Sequence, residues 1–218
     1  MFDFVRARKR MVDADIAGRD ISSHHVLQAM QKVPREEFVD AWLKESAYED
    51  RPLPIAEGQT ISQPYIVALM LEAANIKPES RVLEIGAGSG YAAAVMSRIA
   101  EQVYTIERHA VLGEAARKCF KKLGYSNIQL RIDDGTKGWP EARPFDAIIV
   151  AASGQSAPQA LKEQLKIGGR LIIPLGGEFQ PQELVRMTRI SFDQFEEESL
   201  GAVRFVPLLG EQDRPKAP

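Results

Sequence analysis

A single cysteine, Cys119, leaves no partner for an internal disulfide. That excludes the disulfide-stapled secreted class and suits a reducing compartment. Cys119 falls in lysine-rich helical sequence and reads as a half-buried packing residue rather than a nucleophile. Histidine is scarce too, and His24, His25 and His109 have no cysteine or acidic partner at metal-ligand spacing, so no metal is expected. No apolar run approaches the length of a membrane span, and Met1-Phe2-Asp3-Phe4-Val5-Arg6 lacks the apolar core of a signal peptide. A cytoplasmic protein without membrane association is the expectation. Excess charge is missing as well: a formal net charge of −2 gives no global attraction to nucleic acid. What is present is an ordinary globular composition, 44% hydrophobic and 27% charged, which suffices for the full core of one good-sized domain.

The chain is organised around Val82-Leu83-Glu84-Ile85-Gly86-Ala87-Gly88-Ser89-Gly90-Tyr91. A short apolar strand runs into three glycines at every second position and then into Ala92-Ala93-Ala94-Val95-Met96, good helix-forming sequence. Glycine has no Cβ, so a ligand can approach the backbone, and the helix start offers free N–H groups. The spacing G-x-G-x-G differs from the dinucleotide fingerprint G-x-G-x-x-G, and a purely structural turn accounts for it equally well. A second strand, Gln102 to Ile106, ends in Glu107 about 20 residues later, where an acid accepts hydrogen bonds from ribose hydroxyls. A surface glutamate is the plainer alternative there.

Residues 5–50 read as mostly helical, with Ser22 or Ser23 as an N-cap and Pro34 closing a helix. Phe38, Val39, Trp42 and Leu43 form an apolar packing cluster, and Tyr48 to Pro54 is an extended link. The polar stretch Gln59-Thr60-Ile61-Ser62-Gln63-Pro64 precedes an apolar helix from Tyr65 to about Ala74, and spacing alone favours Ser62 as its cap. From Lys77 strands and helices alternate, which implies a parallel sheet covered on both faces. A helix ends at Gly124; strands follow at Asn127–Ile132 and Phe145–Ala151, the latter apolar enough to be central. Pro158–Leu165 reads as a helix, Arg170–Pro174 as the fifth strand, Leu184–Ile190 as an antiparallel strand and Val203–Leu208 as a further one. The expected organisation is a helical segment with a substrate loop (1–76), a doubly wound, Rossmann-like α/β core (77–209) and a tail or linker (210–218).

The glycine turn, Glu107, Asp134-Gly135 and the Phe145-Asp146 strand, in this order, resemble the class I S-adenosylmethionine-dependent methyltransferases. Tyr48-Glu-Asp-Arg-Pro-Leu-Pro-Ile, Gly58-Gln-Thr-Ile-Ser-Gln-Pro64 and Leu83-Glu-Ile-Gly-Ala-Gly-Ser-Gly-Tyr91 resemble, more narrowly, the protein-L-isoaspartate O-methyltransferase family. The likeness runs from about Arg10 to Leu208, with Val33-Pro34-Arg35 and Arg204-Phe205-Val206-Pro207-Leu208 in keeping with it.

The resemblance implies methyl transfer from S-adenosyl-L-methionine to the free α-carboxylate of L-isoaspartyl residues in damaged, flexible peptide segments, by a monomer. It moves Ser62 from helix cap to the residue that aims the substrate carboxylate. Gln59, Thr60 and Ile61 become the substrate loop around it. Gly86, Gly88 and Gly90 would admit the cofactor, Glu107 hold its ribose, and Asp134 with Gly135 meet its adenine. Glu84 either sits near the cofactor ammonium or is satisfied by backbone. One departure stands out: Ala151-Ala152-Ser153-Gly154-Gln155-Ser156-Ala157-Pro158 replaces the family's alanine-rich stretch, and its Ser153-Gly154 pair bears on substrate fit. The rival readings are a class I methyltransferase with another acceptor, a nicotinamide oxidoreductase, and a catalytically silent cofactor-binding relative.

Overall fold

The computed structural model describes residues 2–177 and 180–210. Helix α1 (Phe4–Arg10) runs on into a π-helical stretch, Met11–Ile16, and α2 (His24–Lys32) follows. Ser23 caps α2, its side chain accepting the Val26 N–H. Short 3-10 helices at Arg35–Glu37 and Ala41–Ser46 lead to a small antiparallel hairpin of β1 (Leu53–Pro54) and β2 (Thr60–Ile61). Helix α3 (Pro64–Ala74) then begins with proline at its first position, where a missing N–H costs nothing.

The rest alternates strand and helix: β3 (Arg81–Ile85), α4 (Tyr91–Met96), β4 (Gln102–Glu107), α5 (Ala110–Leu123), β5 (Ile128–Ile132), β6 (Phe145–Val150), α6 (Gln159–Glu163) and β7 (Leu165–Leu175). The hairpin strands β8 (Gln182–Arg189) and β9 (Phe195–Val203) complete it. These seven strands form one sheet in the order β5-β4-β3-β6-β7-β8-β9. Strands β3 to β7 pair in parallel, and β8 is antiparallel to both its neighbours. The order reverses between β3 and β6, so the crevice that such sheets use for ligands opens at the carboxyl ends of those strands.

Side-chain alternation divides the sheet between two buried clusters. Val82, Val103, Ala147 and Ile149 pack with the N-terminal helices, α3 and α4, while Leu83, Tyr104, Ile148 and Val150 pack with Trp139 and α6. The N-terminal helical segment thus shares one core with the sheet. Among the described residues no helix is long and apolar enough to cross a membrane.

Four local expectations need correction. The helix expected over Pro158–Leu165 is only Gln159–Glu163, because Leu165 already pairs with Phe145. Strand β7 therefore starts before its glycines, with a register shift between Phe145 and Ala147. The last strand is Phe195–Val203 rather than Val203–Leu208. It is a solvent-facing edge carrying Glu196, Glu197 and Glu198, charge that hides the strand pattern and guards the edge against further pairing. Trp42, expected to pack with Phe38 and Leu43, is 73% exposed while those two are buried. The expected tail falls, beyond Gly210, outside the described residues.

Candidate functional site

A cleft of about 950 Å³ opens at the carboxyl ends of β3, β4 and β6. Its floor is the turn after β3. Gly86 and Gly88 line it with left-handed φ values of +88° and +52°. The turn hangs on β4, whose Ile106 carbonyl accepts from the Gly86 and Ala87 N–H groups at 2.8 and 3.2 Å. A Cβ on Gly86 would lie 3.7 Å from Ala151, and one on Gly88 3.5 Å from Ile55, so both glycines keep the floor open.

Glu107, at the end of β4, is buried against this turn. Its Oε2 accepts the Gly88 N–H at 2.7 Å and its Oε1 the His109 N–H at 2.8 Å. A carboxylate has about four acceptor positions, so roughly two remain for a ligand's hydroxyls. Glu84 also lines the cleft and is 1% exposed, with the Thr105 hydroxyl donating to it at 2.5 Å. Burial raises its carboxyl to about 8, an effect that the Thr105 bond opposes and the Glu107 charge reinforces. The lone acid in an apolar strand therefore faces the cleft. The backbone alternative is replaced by a side-chain hydroxyl from the neighbouring strand.

Gln59, Thr60, Ile61 and Ser62 form one wall. Ile61 is mostly absorbed into the core and pairs with Leu53. Thr60 and Ser62 also line a second groove that runs past Gln63, Ile66 and the segment Ala202–Val206. Ser62 is no helix cap. Asp50 does that work, its Oδ1 accepting the Tyr65 N–H at 2.9 Å and its Oδ2 the Gln63 side-chain amide at 2.7 Å. The Ser62 hydroxyl has no hydrogen-bond partner among the described residues.

Two expected residues stand back from the cleft. Gly90 starts α4 at φ +87°, and a Cβ there would meet the Phe120 ring at 2.6 Å, so its smallness serves packing. Asp134 caps the short helix at Gly135–Lys137, accepting from the Thr136 N–H and hydroxyl, while Gly135 itself lines the cleft. Sequence reasoning missed Arg108 and His109 at the mouth and Val206–Leu209 from the far end of the chain. His109 Nδ1 lies 3.6 Å from Glu57 Oε2, which joins the tip of the β1–β2 hairpin to the start of α5. The divergent Ser153-Gly154 pair stitches the C-terminal segment to β7. Ser153 donates to Val206 and accepts from Leu208, and Gly154 donates to Pro174. It is Ala151 and Ala152, just before the pair, that line the cleft.

The lining suits a nucleoside. The glycine floor admits close approach, Glu107 keeps acceptor capacity, and two acids face the cleft. Cys119 is no competing nucleophile: burial lifts its thiol to about 11, and its Sγ contacts the Glu37 carbonyl. Among the described residues no group of three or more His, Cys, Asp or Glu is placed to hold a metal.

Comparison with known proteins agrees with this geometry. A family model described as protein-L-isoaspartate(D-aspartate) O-methyltransferase matches residues 6–213. A Rhodopseudomonas palustris protein-L-isoaspartate O-methyltransferase is 56% identical over 200 residues, covering 92% of each chain. A Marinobacter nauticus relative, protein-L-isoaspartate O-methyltransferase 2, is 52% identical over 213 residues, 98% of this chain and 97% of its own. A solved protein-L-isoaspartate O-methyltransferase superposes with TM-score 0.86 at 30% identity, over 93% of this chain and 66% of that one. A Plasmodium falciparum beta-aspartate methyltransferase, solved in complex with S-adenosyl-L-homocysteine, gives TM-score 0.80 at 27% identity, over 93% and 98% of the two chains. Family model, sequence identity and backbone superposition thus agree along nearly the whole length: the chain belongs to the protein-L-isoaspartate(D-aspartate) O-methyltransferase family.

Proposed function

We propose that Ser62 receives and aims the substrate carboxylate in this family's reaction, methylation of the free α-carboxylate of L-isoaspartyl residues in proteins. The observation that carries the reading is the Ser62 hydroxyl. Ser62 lines both the cleft and the adjoining groove, and the local backbone does not use its hydroxyl. A carboxylate of ordinary pKa, about 4, is ionised at neutral pH, so the hydroxyl donates a hydrogen bond and removes no proton. S-adenosylmethionine is the methyl donor of this enzyme and supplies a methyl group already activated by its sulfonium.

The chain's own work is therefore alignment and exclusion of water. Gly86 and Gly88 would hold the donor against the loop backbone, with Glu107 accepting from its ribose and Glu84 facing its cationic end. Gly135, on the opposite wall, would pack against the base, with Asp134 beside it. The second groove, continuous with the cleft through Thr60 and Ser62, suits an extended peptide on either side of the modified residue. A flexible segment fits such a groove and a folded backbone does not. The reading extends to a monomer acting in the cytoplasm, where the lone half-buried Cys119 suits a reducing compartment.

The test is incubation with methyl-labelled S-adenosylmethionine and two peptides that differ only in isoaspartate or aspartate at one position. Base-labile label confined to the isoaspartyl peptide is expected. Ser62→Ala should lower kcat/KM for it by about 10–100-fold, the worth of one hydrogen bond to a charged group. Equal labelling of both peptides, or full activity of the alanine variant, would refute the assignment.

A further inference from the structure

We propose that Arg35 is a positioning residue that sets the substrate hydroxyl by gripping the main chain of Ser62; the proposal rests on the role of Ser62 given above. Arg35 follows Pro34 in the 3-10 helix Arg35–Glu37 and is 0% exposed. Its Nε donates to the Ala47 carbonyl at 2.7 Å and its Nη2 to the Ser62 carbonyl at 2.8 Å. The guanidinium also lies 4.7 Å from the centre of the Tyr91 ring, the first residue of α4 after the glycine turn. One planar group thereby ties the N-terminal segment, the substrate loop and the cofactor helix together.

This is a costly way to fill space. Burial lowers the guanidinium to about 10, still a cation at neutral pH. It forms no salt bridge among the described residues, and its Nη1 is buried without a partner. The neighbouring acids are engaged elsewhere: Glu36 pairs with Arg8, and Asp50 holds Gln63, Tyr65 and Arg19. An apolar side chain would pack there without desolvating a charge, so the guanidinium is explained by what it holds. Arg35 grips the carbonyl of Ser62, and Asp50 grips the residues on either side of Pro64, through the Gln63 side-chain amide and the Tyr65 N–H. Between these two grips the serine main chain is fixed and its hydroxyl is left for the substrate.

The test is a kinetic cycle of Arg35→Lys, Ser62→Ala and the double variant on the isoaspartyl peptide, with calorimetric binding of S-adenosylhomocysteine and thermal melts alongside. Lysine keeps the charge but cannot present a planar fork to both carbonyls. Arg35→Lys should lower kcat/KM for the peptide about tenfold, while affinity for S-adenosylhomocysteine stays within about twofold of wild type. In the Ser62→Ala background the same change should cost less than about twofold, because the hydroxyl it sets is gone. Losses that multiply, or an equal loss of S-adenosylhomocysteine affinity, would assign Arg35 to the scaffold and overturn the proposal. Should Arg35→Lys not fold, Arg35→Gln, whose amide can donate to only one of the two carbonyls, enters the same cycle with the same expectation and the same refuting outcome. Ser62→Ala with wild-type kcat/KM would overturn the Ser62 role itself, and this proposal with it.

Discussion

Glu84 makes the ligand-free protein pay for an acid it keeps in the cleft, and the cost depends on pH. Its carboxyl is raised from the ordinary 4.5 to about 8, first by burial and further by the Glu107 charge, with the Thr105 hydroxyl pulling the other way. Well below 4.5 the group is protonated folded and unfolded, and it costs nothing. Above 4.5 the unfolded chain ionises while the folded one holds its proton up to about 8. Folding then takes up a proton, so stability falls as pH rises, by about 1.4 kcal/mol per pH unit. Through the full window the loss is roughly 4–5 kcal/mol, and it is constant above about pH 8. Glu84→Gln keeps an oxygen for the Thr105 hydroxyl and removes the titration. Urea melts of both ligand-free proteins from about pH 3.5 to about pH 9 should give equal stabilities at the acid end. At the basic end the glutamine variant should be more stable by about 3–5 kcal/mol. Parallel stability curves across that range would refute the reasoning, because they would mean that Glu84 ionises in the folded cleft as it does in water.

Three further substitutions test the turn after β3 and the acid that holds it. Glu107→Gln can accept only one of the Gly88 and His109 N–H groups, so stability should drop by about 1–3 kcal/mol and S-adenosylhomocysteine affinity more than about tenfold, read by calorimetry. Unchanged affinity would remove Glu107 from the ligand's surroundings. Gly90→Ala forces a left-handed residue and a Cβ at 2.6 Å into the Phe120 ring, so thermal melts should show a loss of about 2–4 kcal/mol. Gly88→Ala, with only Ile55 nearby at 3.5 Å, should act mainly on ligand affinity, and the reverse pattern would show that Gly90 and not Gly88 forms the floor.

The features legible from the residues alone were local in origin. The glycine turn needs left-handed backbone that other residues resist, and β3, β4 and β6 are apolar runs bounded by turns, so strand, turn and helix are legible without knowing what packs on them. Glu107 at a strand end and the polar run Gln59–Gln63 were legible for the same reason, as breaks in a pattern. Features that depend on distant partners emerged only with the packed chain. Ser62 loses its role as a cap because Asp50, 12 residues earlier, supplies the acceptor, which no helix-start spacing records. Gly90 and Asp134 sit in the right motifs yet stand back from the cleft, since Phe120 and Thr136 occupy their surroundings. β9 escaped notice because an edge strand buries little, and its glutamates follow solvent rather than a core. Arg35 was visible only as a letter in a short motif. Its grip on Ser62, 27 residues along the chain, exists because folding brings two carbonyls within reach of one buried plane of nitrogen donors.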